Sequence, residues 1–166
     1  MNKSTITKNW LLILLNLFIY LFFSSCLFGK EYKLQWYIKS ENTNKIIYDQ
    51  LTVYGTTNAE GPWEDNLGRY GLIKCTGLYG SVNKKEEIDV NCVGRDNKQD
   101  KFSINMKRIS EKDIGIGKAT YLNGNGKYKH LIGIQCKYAV NYFEGTGFYK
   151  QVCTVPEKNF NFFVEK

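Results

Sequence analysis

The residues of this chain whose chemistry depends most on placement are five cysteines, a single histidine and twelve tyrosines. Cys75 and Cys92 are seventeen positions apart, and so are Cys136 and Cys153. If each pair faces across a hairpin, the midpoints fall on Asn83-Lys84 and Glu144-Gly145. Asn and Gly tolerate the positive φ that a two-residue turn needs. Each cysteine then stands seven steps out from the pair flanking its turn. An odd step lands on a non-hydrogen-bonded site, where Cα atoms approach to about 4.5 Å and a disulfide can close. Four cysteines allow three connectivities, and this register favours Cys75 with Cys92 and Cys136 with Cys153. Strand alternation groups Cys92 with Ile88 and Val90, and Cys136 with Ile132, Ile134, Tyr138, Val140 and Tyr142. Both bridges are therefore expected to point into a core, each contributing about 3 kcal/mol in the chain-entropy model.

The other reactive groups carry less. His130, in KYKHLIG, has no nucleophile or positioned acid beside it and reads as a surface residue at a strand start. Glu64-Asp65 reads as solvated loop, with no calcium-loop pattern around it. No C-x₂-C occurs to pair with the lone histidine as a metal site. Nucleotide, hydrolase and metalloprotease signatures are missing as well. No catalytic residue, metal ligand or cofactor is assigned. Tyr138, Tyr142 and Tyr149, with Gln151 among them, share the Cys136 face of the proposed hairpin. They are candidates for lining a cavity, with plain core filling as the alternative.

The elements that would position these groups are strands. With 15 glycines, two prolines and 15% aromatics, the composition reads as β. Strand-like segments run over 32–40, 45–54, 68–79, 86–93, 101–109, 114–122, 131–142 and 147–155. The stretch 56–66 contains Gly61-Pro62 and reads as a loop, with Trp63 as a lid on a core edge. Phe160 and Phe162 suggest a short closing strand over 159–164. After the first 25 residues no segment shows helical periodicity. The expectation is one all-β domain over 26–166, a sandwich or barrel.

The N-terminus points to export. Lys3 and Lys8 precede an apolar run from Trp10 to Phe23 broken only by Asn16, the layout of a secretory signal peptide. Phe23-Ser24-Ser25-Cys26 resembles the lipobox of bacterial lipoproteins, with Phe23 where leucine is commonest. That resemblance implies residues 1–25 as a signal helix, lipid on Cys26 and a membrane as partner. A plainly cleaved secreted chain and an uncleaved anchor are the alternatives. Lipid on Cys26 would leave four cysteines, an even number. Export places the chain in the cell envelope, lipid-anchored, periplasmic or secreted. The net charge is +7, and losing Lys3 and Lys8 from that total leaves +5. The lysines are spread along the strands without an Arg cluster, so the basic surface reads as solvation and not as a nucleic-acid footprint.

Asn123 to Gly133, NGNGKYKHLIG, resembles the G-G-T-G-K-Y-x-G-I-x-G segment of the allene oxide cyclase and dirigent barrel superfamily and related exported bacterial barrels. Gly124, Gly126, Lys127, Tyr128 and Gly133 match, whereas His130 stands where the family has a glycine. The resemblance implies an antiparallel eight-stranded barrel, calycin or dirigent-like, whose centre can hold a small apolar or amphipathic ligand. The family's catalytic residues have no match here. Three functions follow: a non-enzymatic envelope protein, a cyclase or dirigent-type enzyme acting on a lipid-like or phenolic substrate, and an interaction or inhibitor module. A cavity with a buried carboxylate favours the enzyme, an apolar cavity simple binding, and a solid core an interaction role.

Overall fold

A computed structural model describes residues 29–83, 85–111 and 114–164. The expected signal peptide, the lipid site Cys26 and the turn residue Lys84 lie outside the described residues. Eight antiparallel strands follow one another around a closed barrel: β1 (Gly29–Ile47), β2 (Thr52–Asp65), β3 (Tyr70–Val82), β4 (Lys85–Asp96), β5 (Lys101–Glu111), β6 (Ile114–Gly124), β7 (Gln135–Phe143) and β8 (Thr146–Pro156). β8 closes on β1 along eleven residues, from Gly29 opposite Pro156 to Lys39 opposite Thr146. Full closure leaves no unpaired sheet edge.

Alternation builds the interior. Tyr32, Leu34, Trp36 and Ile38 of β1 point inward and are buried, as are Phe102, Ile104 and Met106 of β5. The two ends of the barrel are built differently. At one end β2 to β3 and β4 to β5 are joined by four residues each, NLGR after Asp65 and NKQD after Asp96, which share one design. Asp65 Oδ1 accepts the N–H groups of Leu67 and Arg69, and Asp96 Oδ1 accepts those of Lys98 and Asp100. Gly68 and Gln99 each take the positive φ that closes the loop. A 3-10 helix (Gly126–Leu131) and α1 (Glu157–Val164) cover this end. The other end carries the tight hairpins, among them Glu144-Gly145 with φ of 48° and 75°.

Sequence expectations for four segments are corrected here. The segment 56–66 is strand, not loop: Thr57, Ala59 and Trp63 face inward in β2, and the register runs on through Gly61-Pro62 from Trp36 opposite Trp63 to Lys39 opposite Glu60. Gly61 admits the Tyr37 carbonyl, which a Cβ there would strike. Trp63 is accordingly core, 1% exposed. The segment 45–54 is split by a turn at 48–51, its first part belonging to β1. The tail 159–164 is helical, because Pro156 ends the β8 ladder and the apolar pair in use is Phe160 with Phe163, one helical turn apart. The resembling segment feeds the 3-10 helix instead of opening a strand at 131, which leaves Ile132 exposed and outside the Cys136 face.

Candidate ligand cavity

Cys75 is bonded to Cys92 and Cys136 to Cys153, with Cα atoms 3.9 Å and 4.2 Å apart. Both pairs stand directly opposite in their hairpins, and all four side chains are buried. The bridges thus tie β3 to β4 and β7 to β8 from inside the barrel.

Below the bridges the barrel is filled. Tyr32, Trp63, Phe102, Tyr121, Tyr128 and Phe163 are each no more than 1% exposed. Their rings meet edge-on or tilted, Tyr32 to Phe163 at 4.7 Å and Phe102 to Tyr128 at 4.9 Å. Arg69 stands in the middle of this cluster, its Cζ 3.9 Å from the Phe163 ring, 5.5 Å from Tyr32 and 5.8 Å from Tyr128. Its Nε donates to Asp65 Oδ2 at 2.7 Å, and the Tyr32 hydroxyl donates to the same oxygen at 3.1 Å. The Gly126-Lys127-Tyr128 run also belongs here. Tyr128 is core, while Lys127 donates to Asp100 at 2.7 Å and pairs with Asp96. Burial alone raises the Asp96 carboxyl, but bonds from Lys127, Lys98 N–H and Asp100 N–H outweigh it and hold the group below the usual carboxylate range. A second depression of about 470 Å³ lies among these turns and Phe163.

Above the bridges the interior is hollow. A cavity of about 540 Å³ opens toward the hairpin end. Its rings come from Tyr79, Tyr138, Tyr142 and Tyr149, and its carboxylates from Glu86 and Glu144. Ile38, Ile88, Val90 and Met106 supply aliphatic wall, and Ser40, Asn42 and Thr57 supply polar groups. Among the described residues no lysine or arginine lines it. Tyr142 and Tyr149 share a hydroxyl hydrogen bond of 2.7 Å, and Tyr138 lies 5.9 Å from Tyr149, ring to ring. Burial raises the phenols of Tyr138 and Tyr149, the latter raised further by Tyr142. These groups therefore stay protonated and neutral, able to donate and accept.

Behind that wall sits Arg108, 3% exposed, whose Nη2 donates to Glu86 Oε2 at 3.1 Å. Its guanidinium lies 5.7 Å from the Tyr142 ring, and its Nε and Nη1 have no hydrogen-bond partner among the described residues. Two inward glycines of β6 make room for Arg108 and Tyr138. A Cβ on Gly115 would come within 2.7 Å of Arg108 Cδ, and one on Gly117 would run into the Tyr138 ring.

Of the residues singled out in the sequence, Tyr138, Tyr142 and Tyr149 are brought together around the cavity. Gln151 is not. It is 1% exposed and outside the cavity lining, its Nε2 donating to the Tyr121 hydroxyl at 3.4 Å. His130 is half-buried in the 3-10 helix and stacks on Phe162 at 5.2 Å. Glu64 faces solvent, whereas Asp65 turns in to Arg69. Sequence reasoning missed Glu86, Arg108 and Tyr79. The first two were within its reach, since Glu86 continues the inward parity of Ile88, Val90 and Cys92, and Arg108 that of Phe102, Ile104 and Met106.

Fold and site together define a small antiparallel β-barrel stapled by two disulfides, sealed at one end and hollow at the other. Protein-family models, curated proteins and solved structures all return no match for the chain.

Proposed function

We propose that this chain is an exported, non-enzymatic binding protein of the cell envelope that holds a small amphipathic ligand in the barrel. The observation that carries this reading is the cavity itself, about 540 Å³ with rings, aliphatic wall and a few convergent polar groups. That is the size and make-up of a small-molecule site, typically some 300–1,000 Å³. Two disulfides agree with an oxidising compartment. The resemblance of 123–133 to exported barrel proteins is part of the same proposal. Lipid on Cys26, three residues before Gly29, would tether the sealed end, because Gly29 pairs with Pro156 there. The cavity would then face away from the anchoring membrane.

The test is intact mass spectrometry of protein extracted natively from its own membrane. A co-purifying small molecule, an acylated Cys26 and four thiols engaged in disulfides are the expected result. A chain intact from Met1 with free thiols and no ligand would overturn it.

One observation favours a second reading. Glu86 is a buried carboxylate on the cavity wall, the feature expected of a cyclase or dirigent-type enzyme. For that reading, turnover of a lipid-like or phenolic substrate must fall at least about a hundredfold in Glu86→Gln while substrate binding persists.

A further inference from the structure

Resting on the ligand-binding reading above, we infer that the ligand is an organic cation: an ammonium head, quaternary or primary, on an apolar body, held between the Tyr138, Tyr142 and Tyr149 rings with the Glu86 and Glu144 carboxylates nearby. The argument starts from composition. The chain carries 23 Lys and Arg against 16 Asp and Glu, yet the described lining of its cavity has two carboxylates and no basic side chain. That lining runs against the charge of the whole molecule. Four tyrosines accompany the carboxylates, and ring faces attract cations through their quadrupole, most strongly where water is excluded.

The barrel itself contains the matching example. At the sealed end a guanidinium is bound by three aromatic rings, Phe163, Tyr32 and Tyr128, and by one buried carboxylate, Asp65. The hollow end repeats the ingredients: the ring cluster of Tyr138, Tyr142 and Tyr149, with Glu86 as the carboxylate. There the chain's own cation, Arg108, donates to Glu86 at 3.1 Å, reaches one ring of the three, Tyr142, and stays behind the wall with a side chain 1% accessible, so Glu144 at the rim is the second carboxylate that faces the guest. Tyr138 is buried at 3% exposure and backs the cluster, while the half-buried Tyr149 keeps ring surface turned to the cavity for a guest. The hydroxyl bond between Tyr142 and Tyr149 fixes their edge-to-face pose, 82° between planes, so the cage is formed before the guest enters. Ile38, Ile88, Val90 and Met106 then receive the apolar body.

The test is a calorimetric titration of the full disulfide-bonded protein with three probes of equal chain length: decyltrimethylammonium, decan-1-ol and decanoate, each below its micelle concentration. Quenching of Trp36, which stacks on Tyr149 at 6.1 Å, reports the same event optically. The ammonium is expected to bind at least about tenfold tighter than the alcohol, and decanoate weaker than the alcohol. Non-specific attraction to a protein of charge +7 would give the reverse order, so it cannot imitate this result. Tyr149→Leu is expected to weaken the ammonium about tenfold and the alcohol little, with Tyr149→Phe restoring it. Glu144→Gln, at an exposed rim position, should weaken the ammonium alone, by about twofold. If Tyr149→Leu fails to unfold cooperatively, the order of the three probes on the unaltered protein decides. Decanoate binding as tightly as the ammonium would overturn the inference. No heat from any of the three would overturn the ligand-binding reading itself.

Discussion

The two ends of this barrel are made from the same parts and finished differently. Two of the chain's three arginines are inside it, one toward each end, each paired with a carboxylate and each against aromatic rings. At the sealed end Arg69 is enclosed by three rings, and α1 closes over it through Phe163. At the hollow end Arg108 touches a single ring, and the inward glycines at 115 and 117 make room for Arg108 and for the Tyr138 ring. The difference shows that closure of a sheet into a barrel does not by itself decide whether the centre is core or cavity. That is decided by which side chains each strand sends inward, and by whether a terminal element plugs the end.

The comparison predicts unequal costs for equal deletions. Phe163→Ala removes a fully buried ring that contacts Tyr32, Tyr128, Phe160 and Arg69, and should cost about 4 kcal/mol in urea unfolding. Tyr149→Ala at the hollow end removes a half-buried ring beside open space and should cost no more than about 2.5 kcal/mol. Equal losses would mean that the hollow end is as tightly packed as the sealed one.

The two disulfides, which stand between the filled and the hollow halves, should not differ from one another. Each closes a loop of the same sequence separation, 17, so the chain-entropy argument assigns each about 3 kcal/mol whatever surrounds it. Cys75→Ala with Cys92→Ala, and Cys136→Ala with Cys153→Ala, should therefore lower stability alike. A loss clearly larger for Cys75 and Cys92 would show that the cavity wall depends on its bridge for shape as well as for chain entropy.

Acid should act on the sealed end first. The Asp96 carboxyl is held below its ordinary value, so its contribution is in place above the unfolded-state pKa of about 3.9 and is lost as pH falls through the lower folded value. Thermal midpoints followed downward from about pH 6 should fall more steeply below about pH 4 in the unaltered protein than in Asp96→Asn. The shifted phenols at the hollow end are raised by burial, so they titrate only in strong alkali and add nothing in this window. Identical acid profiles for the two proteins would remove Asp96 from the account.

How far all this was legible in the sequence follows from the range of the interactions. The bridged hairpins were readable because turn chemistry and a period of two act locally, and the register of Cys75 and Cys136 needed nothing else. The strand at 56–66 was hidden because Gly61-Pro62 is a turn signal in isolation. It becomes tolerable in a strand only when β1 passes close enough to need a glycine. The helix at 157–164 was hidden because eight residues with Phe160, Phe162 and Phe163 satisfy either period, and Phe163 is drawn to its position by Tyr32 and Tyr128, far away in sequence. The tyrosine faces could be read from the β7–β8 hairpin alone. The cavity could not, since its volume depends on side chains from seven strands.

The smallest effect bears most directly on whether the hollow end is pre-formed. Tyr149→Phe deletes one hydroxyl from the Tyr142 to Tyr149 bond while keeping the ring and its stacking on Trp36. Both residues are half-buried, so the orphaned Tyr142 hydroxyl can turn to water, and the loss should be about 0.5–1 kcal/mol. At the sealed end the corresponding deletion, Tyr32→Phe, leaves a carboxylate with no exposed side-chain surface short of one donor, and should cost about 1–3 kcal/mol. Asp65 keeps its bonds from Arg69 and from two backbone N–H groups, which limits that loss. Urea unfolding of the two single variants reads the ratio directly. If Tyr149→Phe proves as costly as Tyr32→Phe, the tyrosine cage is a dry, tightly coupled core and the space beside it is not open to a guest.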